Sequence, residues 1–203
     1  MRTFSVEYIE ALKEILDNFS HEQFERFIDA MLTAYHKEKQ IFVMGNGGSA
    51  STASHWVCDI NKGCSLGKEK KFKMMCLNDS ISTLLAYAND LSYEDVFVEQ
   101  LKNFFTPGDL VIGISGSGNS ENVLRAIHYA NDNQGTTIGL CGYSGGKLFQ
   151  MVDIPILAQV DDMQKVEDIH MIVAHMSMQR IIQKISEDYA PESYVLRYAG
   201  QAA

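Results

Sequence analysis

Basic side chains are scarce in this chain: 17 Lys and Arg stand against 26 Asp and Glu, a formal net charge of -9 with an isoelectric point of about 5.1. Nucleic-acid affinity comes mainly from Lys and Arg neutralising phosphates, so no nucleic-acid partner is expected. Long apolar runs are missing too. None approaches the roughly 20 residues of a membrane span, and no membrane partner is expected. The opening MRTFSVEYIEALKEILDNF carries Glu7, Glu10, Glu14 and Asp17 among its apolar residues, unlike a signal peptide. Cysteine is confined to Cys58, Cys64, Cys76 and Cys141. None forms a CxxC pair, so neither a zinc ribbon nor a dithiol redox motif is indicated. Cys76 and Cys141 lie in or beside apolar strand runs and read as buried free thiols in a reducing cytoplasm. Only Pro107, Pro155 and Pro191 are proline, and no Pro/Ser-rich linker, repeat or low-complexity block divides the chain.

What is there is a large globular domain's worth of sequence, 203 residues of which 46% are hydrophobic, enough to bury a sizeable core. The first 38 residues read as helices. Phe4, Tyr8, Leu12 and Ile15 recur at helical spacing, as do Phe24, Phe27, Ile28 and Met31, and Ser20 with Gln23 forms a capping box. From residue 40 strands and helices alternate. Apolar runs at Gln40–Met44, Phe72–Leu77, Leu110–Ile114, Thr136–Leu140 and Asp153–Leu157 are the strands. Helical stretches lie at Ser49–Ile60, Ile81–Ala88, Tyr93–Phe105, Asn119–Asn131 and Gly146–Met151, and a long helix runs from Gln164 to Ser186. Continuous apolar strands separated by helices predict a parallel sheet covered on both faces. The expected organisation is an N-terminal helical extension over 1–38, packing on the core or an oligomer interface, an α/β domain over 39–187 and a tail over 188–203.

Ligands of such folds bind beyond the carboxyl ends of the strands, and two strand-to-helix loops stand out there. The first is Gly45-Asn46-Gly47-Gly48-Ser49. The second is Ser115-Gly116-Ser117-Gly118-Asn119-Ser120. Glycines admit an anion close to the backbone and hydroxyls add uncharged donors, so a phosphate can be held without Lys or Arg. Either loop alone also reads as a tight turn with a serine N-cap. Two after parallel strands favour phosphate. Neither is a dinucleotide fingerprint or a Walker loop.

His55 and Asp59 lie one helical turn apart on one face. Glu167, His170 and His175 lie on the long C-terminal helix, with Glu167 and His175 on roughly the same side. Two histidines and two carboxylates suit a divalent metal or an acid/base set, although helix histidines are more often packed or surface residues. His21, His36 and His128 take that plainer reading, and Asp161, Asp162 and Asp168 read as charges at a helix start.

The stretches GNGGSASTASH, LLAYANDLSYEDVFVEQL, PGDLVIGISGSGNSENVLRAI, GYSGGKL and DIHMIVAHM, in this order, resemble the phosphoheptose isomerases of the sugar isomerase (SIS) superfamily. The resemblance spans about residues 4 to 186. It implies a three-layer αβα sandwich on a five-stranded parallel sheet. It also implies a cytoplasmic homotetramer with active sites between subunits, and a sugar-phosphate substrate. Ser115, Gly116, Ser117 and Ser120 would hold the phosphate. Asn46, Gly47, Gly48, Asn89 and Asp90 would contact the sugar, with Asp59 and Glu167. One zinc per subunit would sit on His55, Asp59, Glu167 and His175. The chain departs from the family at three of these positions: Gly116 replaces Thr, Asp59 replaces Glu and Glu167 replaces Gln. The implied reaction is ketose–aldose isomerisation of sedoheptulose 7-phosphate through an enediol, with Asp59 as base, His175 as its partner and Glu167 orienting sugar or metal. The alternatives are an isomerase for another sugar phosphate and a non-catalytic SIS module that binds a partner protein, of the DnaA initiator-associating type.

Overall fold

The computed structural model describes residues 3–187; the tail over 188–203 lies outside the described residues. Five parallel strands form one sheet: β1 (Gln40–Gly45), β2 (Lys73–Cys76), β3 (Leu110–Ser115), β4 (Thr136–Gly142) and β5 (Ile154–Ala158), in the order β2-β1-β3-β4-β5. The helices are α1 (Phe4–Asp17), α2 (His21–His36), α3 (Gly48–Cys58), α4 (Ile81–Asp90), α5 (Val98–Phe104), α6 (Glu121–Asp132), α7 (Gly146–Met151) and α8 (Met163–Glu187). This is the expected αβα sandwich.

Side chains alternate across the sheet. Ile41 and Val43 of β1, with Ile112 and Ile114 of β3, enter a core shared with α2, α3 and α8; Phe42, Met44 and Val111 enter a second core with α5, α6 and α7. Both faces are therefore apolar, which is why the strands read as unbroken runs. Helix α2 belongs to the first core: Phe27, Ile28 and Met31 are fully buried, and the Phe27 ring meets that of Trp56 at 5.5 Å. Ser20 caps α2 by accepting from Gln23 N–H. Cys64, Cys76 and Cys141 are buried free thiols, each pushed up to about 12, chiefly by burial.

Two elements differ from expectation. Residues 93–105 are not one helix. Ser92 Oγ donates to Asp95 Oδ2 and Arg125 of α6 pairs with Asp95 at 2.6 Å, so a short 3-10 turn (Tyr93–Asp95) is anchored to α6 and α5 restarts at Val98. Helix α3 also does not simply end near Ile60. It widens into a π-helical turn, Asp59–Cys64, where Asn61 brackets Met74 of β2 with one bond to its carbonyl and one from its N–H. Among the described residues no helix is long and apolar enough to cross a membrane.

Candidate functional site

The strand order reverses direction between β1 and β3, and a doubly wound sheet opens its ligand crevice at that switch point. The two loops picked out by their glycines and serines leave these adjacent strands. Ser115 is the last residue of β3 and is 4% exposed. Its hydroxyl donates to Ser120 Oγ at 3.0 Å. Ser120 stands at the N-terminus of the 12-residue α6, and its side chain makes no capping bond. Ser117 is exposed, its Oγ accepting from Asn119 N–H. A bonded pair of hydroxyls, a third serine on the same turn and the N-terminus of a helix thus lie together, the chemistry of an anion cradle.

Two glycines shape this turn. Gly118 has φ +66°, and a β-carbon there would run into the carbonyl of Gly145. Gly116 is tight for another reason: a β-carbon would meet Met163 Sδ at the start of α8. Met163 occupies the room that a threonine at 116 needs, so that departure from the family comes with a compensating neighbour.

The first loop is held by amides. Asn46 and Asn122, the latter 2% exposed in the first turn of α6, exchange two hydrogen bonds of 2.9 Å each. Tyr93 Oη donates to Asn46 Oδ1 at 2.8 Å. Asn78 brackets Gly45 through both its N–H and its carbonyl. Asn122, Tyr93 and Asn78 carry no signal in the sequence, because each meets its partner only in the folded chain, 76, 47 and 33 residues away. Gly47, at φ +56° and exposed, turns the chain into α3. Asn89 and Asp90 stand exposed at the end of α4, with Asn89 Nδ2 donating to Asp90 Oδ1 at 2.8 Å. The side chain of this segment that reaches the first loop is Tyr93.

The titratable residues fall into two groups. His55 Nε2 lies 3.1 Å from His175 Nε2 and 3.3 Å from Asp59 Oδ2, and His175 Nε2 is 3.8 Å from the same oxygen. Ligands about 2.1 Å from a tetrahedral ion stand about 3.4 Å apart, so these three atoms are spaced for one metal. Both imidazoles are about half exposed, and the Asp59 side chain is 21% exposed. Their register is set nearby by a buried bond, Trp56 Nε1 to Ser177 Oγ at 3.0 Å, which locks α3 against α8. Asp59 opens the π-helical turn, a feature frequent at functional sites.

Glu167 is not in this cluster. Among the described residues the group spaced for one ion is His55, Asp59 and His175; Glu167 shares a side of α8 with His175 but stands about 12 Å along the helix from it. The Glu167 carboxylate instead lies over Gly48, at the N-terminus of α3, where a β-carbon would collide with it. A carboxylate there faces the positive end of the helix. His170, between the two groups, is 1% exposed and bonded to the carbonyl of Cys141. At the start of α8, Asp162 accepts from Lys165 N–H and pairs with the Lys165 ammonium, which holds its carboxyl below the usual range. Asp168 accepts from Tyr8 Oη at 2.6 Å, tying α1 to α8.

Known proteins share this fold. The SIS domain family model matches residues 7–142. A phosphoheptose isomerase of Helicobacter pylori is 34% identical over 167 residues, 82% of this chain and 86% of its own. One from Geotalea daltonii is 36% identical over 149 residues, 73% of this chain and 77% of its own. The solved phosphoheptose isomerase of Neisseria gonorrhoeae has a TM-score of 0.78 at 28% identity, covering 87% of this chain and 93% of that one. The chain belongs to the SIS-domain phosphoheptose isomerase family.

Proposed function

We propose that this chain is an aldose–ketose isomerase that converts sedoheptulose 7-phosphate to D-glycero-D-manno-heptose 7-phosphate through an enediol. The observation that carries the reading is the Ser115–Ser120 turn, whose paired hydroxyls stand at the start of α6 without capping it. Ser115, Ser117, Ser120 and the backbone at Gly116 receive the phosphate. Asn46, Gly47 and Gly48, with Asn89 and Asp90, face the sugar, and Glu167 orients it.

Isomerisation moves one proton between adjacent carbons and another between their oxygens. Both imidazole contacts to Asp59 fall on Oδ2. Its Oδ1 is therefore the oxygen assigned to the carbon-bound proton, and His175 handles the hydroxyl proton. His55, Asp59 and His175 are the residues that would hold zinc, one ion per subunit, which supplies Lewis acidity toward the carbonyl and hydroxyl oxygens; a His175 Nε2 on the ion carries no transferable proton, so its proton role requires that this nitrogen be released from the ion during turnover. The family resemblance carries the further reading of a cytoplasmic homotetramer, and the half-exposed imidazoles leave the site open for a neighbouring subunit to close.

The test is purified protein with sedoheptulose 7-phosphate, product followed by NMR. Wild type forms the aldose. His175→Ala lowers turnover at least about a hundredfold, the lower range of general acid–base contributions. Metal analysis of the same preparations gives about one zinc per wild-type subunit and a loss in the variant. Folded wild type that is inactive on a panel of ketose phosphates would overturn the isomerase reading in favour of a partner-binding module.

A further inference from the structure

The mechanism leaves one chemically expensive residue without work. His170 is 1% exposed in the sheet-facing side of α8. Val166, Ile169, Val173 and Ala174 around it on the same helix are all fully buried and apolar. A leucine would suit that surface better, since burying a polar ring is unfavourable unless it is hydrogen-bonded. What an imidazole adds is a directional bond. His170 Nε2 lies 3.1 Å from the carbonyl oxygen of Cys141. A carbonyl only accepts, so Nε2 carries the proton and the ring is a donor.

The acceptor's position matters. Cys141 of β4 is in register with Ser115 of β3, the first serine of the cradle. The next residue, Gly142, donates its N–H to the carbonyl of Gly116 at 2.8 Å. Val166, one turn before His170, packs so closely on Gly142 that a β-carbon there would collide with it. Helix α8 is therefore fastened to the serine turn by His170 to Cys141, then Gly142 to Gly116. The same helix carries Glu167 three residues before His170 and His175 five residues after. Apolar packing is non-directional and tolerates a helix sliding along its axis; a hydrogen bond does not.

We propose that His170 is a positioning residue that fixes the height of α8, and so of Glu167 and His175, relative to the phosphate cradle. It touches no substrate. It sets where the sugar carbons fall when the phosphate is held, and displacements near 1 Å at such a distance lower turnover by up to about a hundredfold. The inference rests on the isomerase reading.

The test compares His170→Gln with His170→Asn. Both bury an amide, but only the longer glutamine extends its donor toward the Cys141 carbonyl. Val173→Ala, a fully buried position on the same helix, serves as a stability control. Turnover and KM for the ketose phosphate are measured with the thermal midpoint of each protein. His170→Asn is expected to lower kcat about ten- to a hundredfold with KM changed less than about threefold, because the serine turn keeps its own bonds. His170→Gln recovers most of kcat, and Val173→Ala keeps kcat despite a lowered midpoint. Equal kcat in the Gln and Asn variants, or losses that simply track the midpoint across all three, would overturn the proposal. An inactive wild type would instead remove the isomerase reading beneath it.

Discussion

At the scale of single residues, two of the three positions that depart from the expected family pattern can be read from what they touch. Gly116 leaves room for Met163, and Glu167 reaches the first turn of α3 across Gly48. The second contact can be checked. Alanine at 48 places a methyl where the Glu167 carboxylate now sits. That carboxylate is the free end of a flexible side chain, so it swings aside, and alanine is the better helix residue by up to about 1 kcal/mol. Gly48→Ala is therefore expected to melt no lower than wild type while kcat/KM falls at least about tenfold. The double variant Gly48→Ala/Glu167→Gln should be no worse than Glu167→Gln alone, since both changes act through one group. Fully additive losses in steady-state kinetics would show that Gly48 acts some other way.

At the scale of elements, α1 and α4 are unlike the rest, for neither contains a buried residue. Phe4 is 78% exposed and Ile9 52%; Ile81 is 69% exposed and Leu85 64%. Apolar helix faces of this kind mark surfaces that other protein covers. A second copy is the occupant consistent with the proposed tetramer. Ile81→Asp with Leu85→Asp is expected to shift the sedimenting species from tetramer to smaller forms, with isomerase activity falling in step if sites lie between subunits. A wild type that sediments as a monomer would sink the assembly. The elements also show what the sequence makes legible. The five strands are readable because both sheet faces are buried, which leaves unbroken apolar runs. Their ends shift by a residue or two, since Gly45 and Ser115 belong to both strand and loop. The break at 93–105 is hidden because it depends on Arg125, 30 residues beyond Asp95. The Asn46–Asn122 pair spans 76 residues and is fixed only by strand register. His55 with Asp59 is readable from helical spacing, but their meeting with His175 is tertiary. The fourth ligand expected at Glu167 follows from resemblance, and in the structure its carboxylate lies over Gly48 rather than with the other three.

At the scale of the whole molecule, folding stability is linked to every proton the fold displaces, and His170 displaces one. Burial lowers its pKa from the usual 6.5 to about 4, while the Cys141 carbonyl pulls it partly back up. The sign follows from counting protons. Between pH 6.5 and 4 the unfolded chain holds a proton on this ring and the folded chain does not, so stability falls as pH falls through that window. At one unit per 1.36 kcal/mol, the loss from this group is on the order of 3 kcal/mol by pH 4. Below pH 4 the folded ring is protonated too, and the slope from this group ends. An amide at 170 does not titrate. His170→Gln should therefore start less stable than wild type at pH 7.5 and lose less on acidification. In urea unfolding at pH 7.5, 6 and 4.5, the two midpoints should converge as pH drops. Parallel curves would show that the imidazole is not buried neutral in the folded protein.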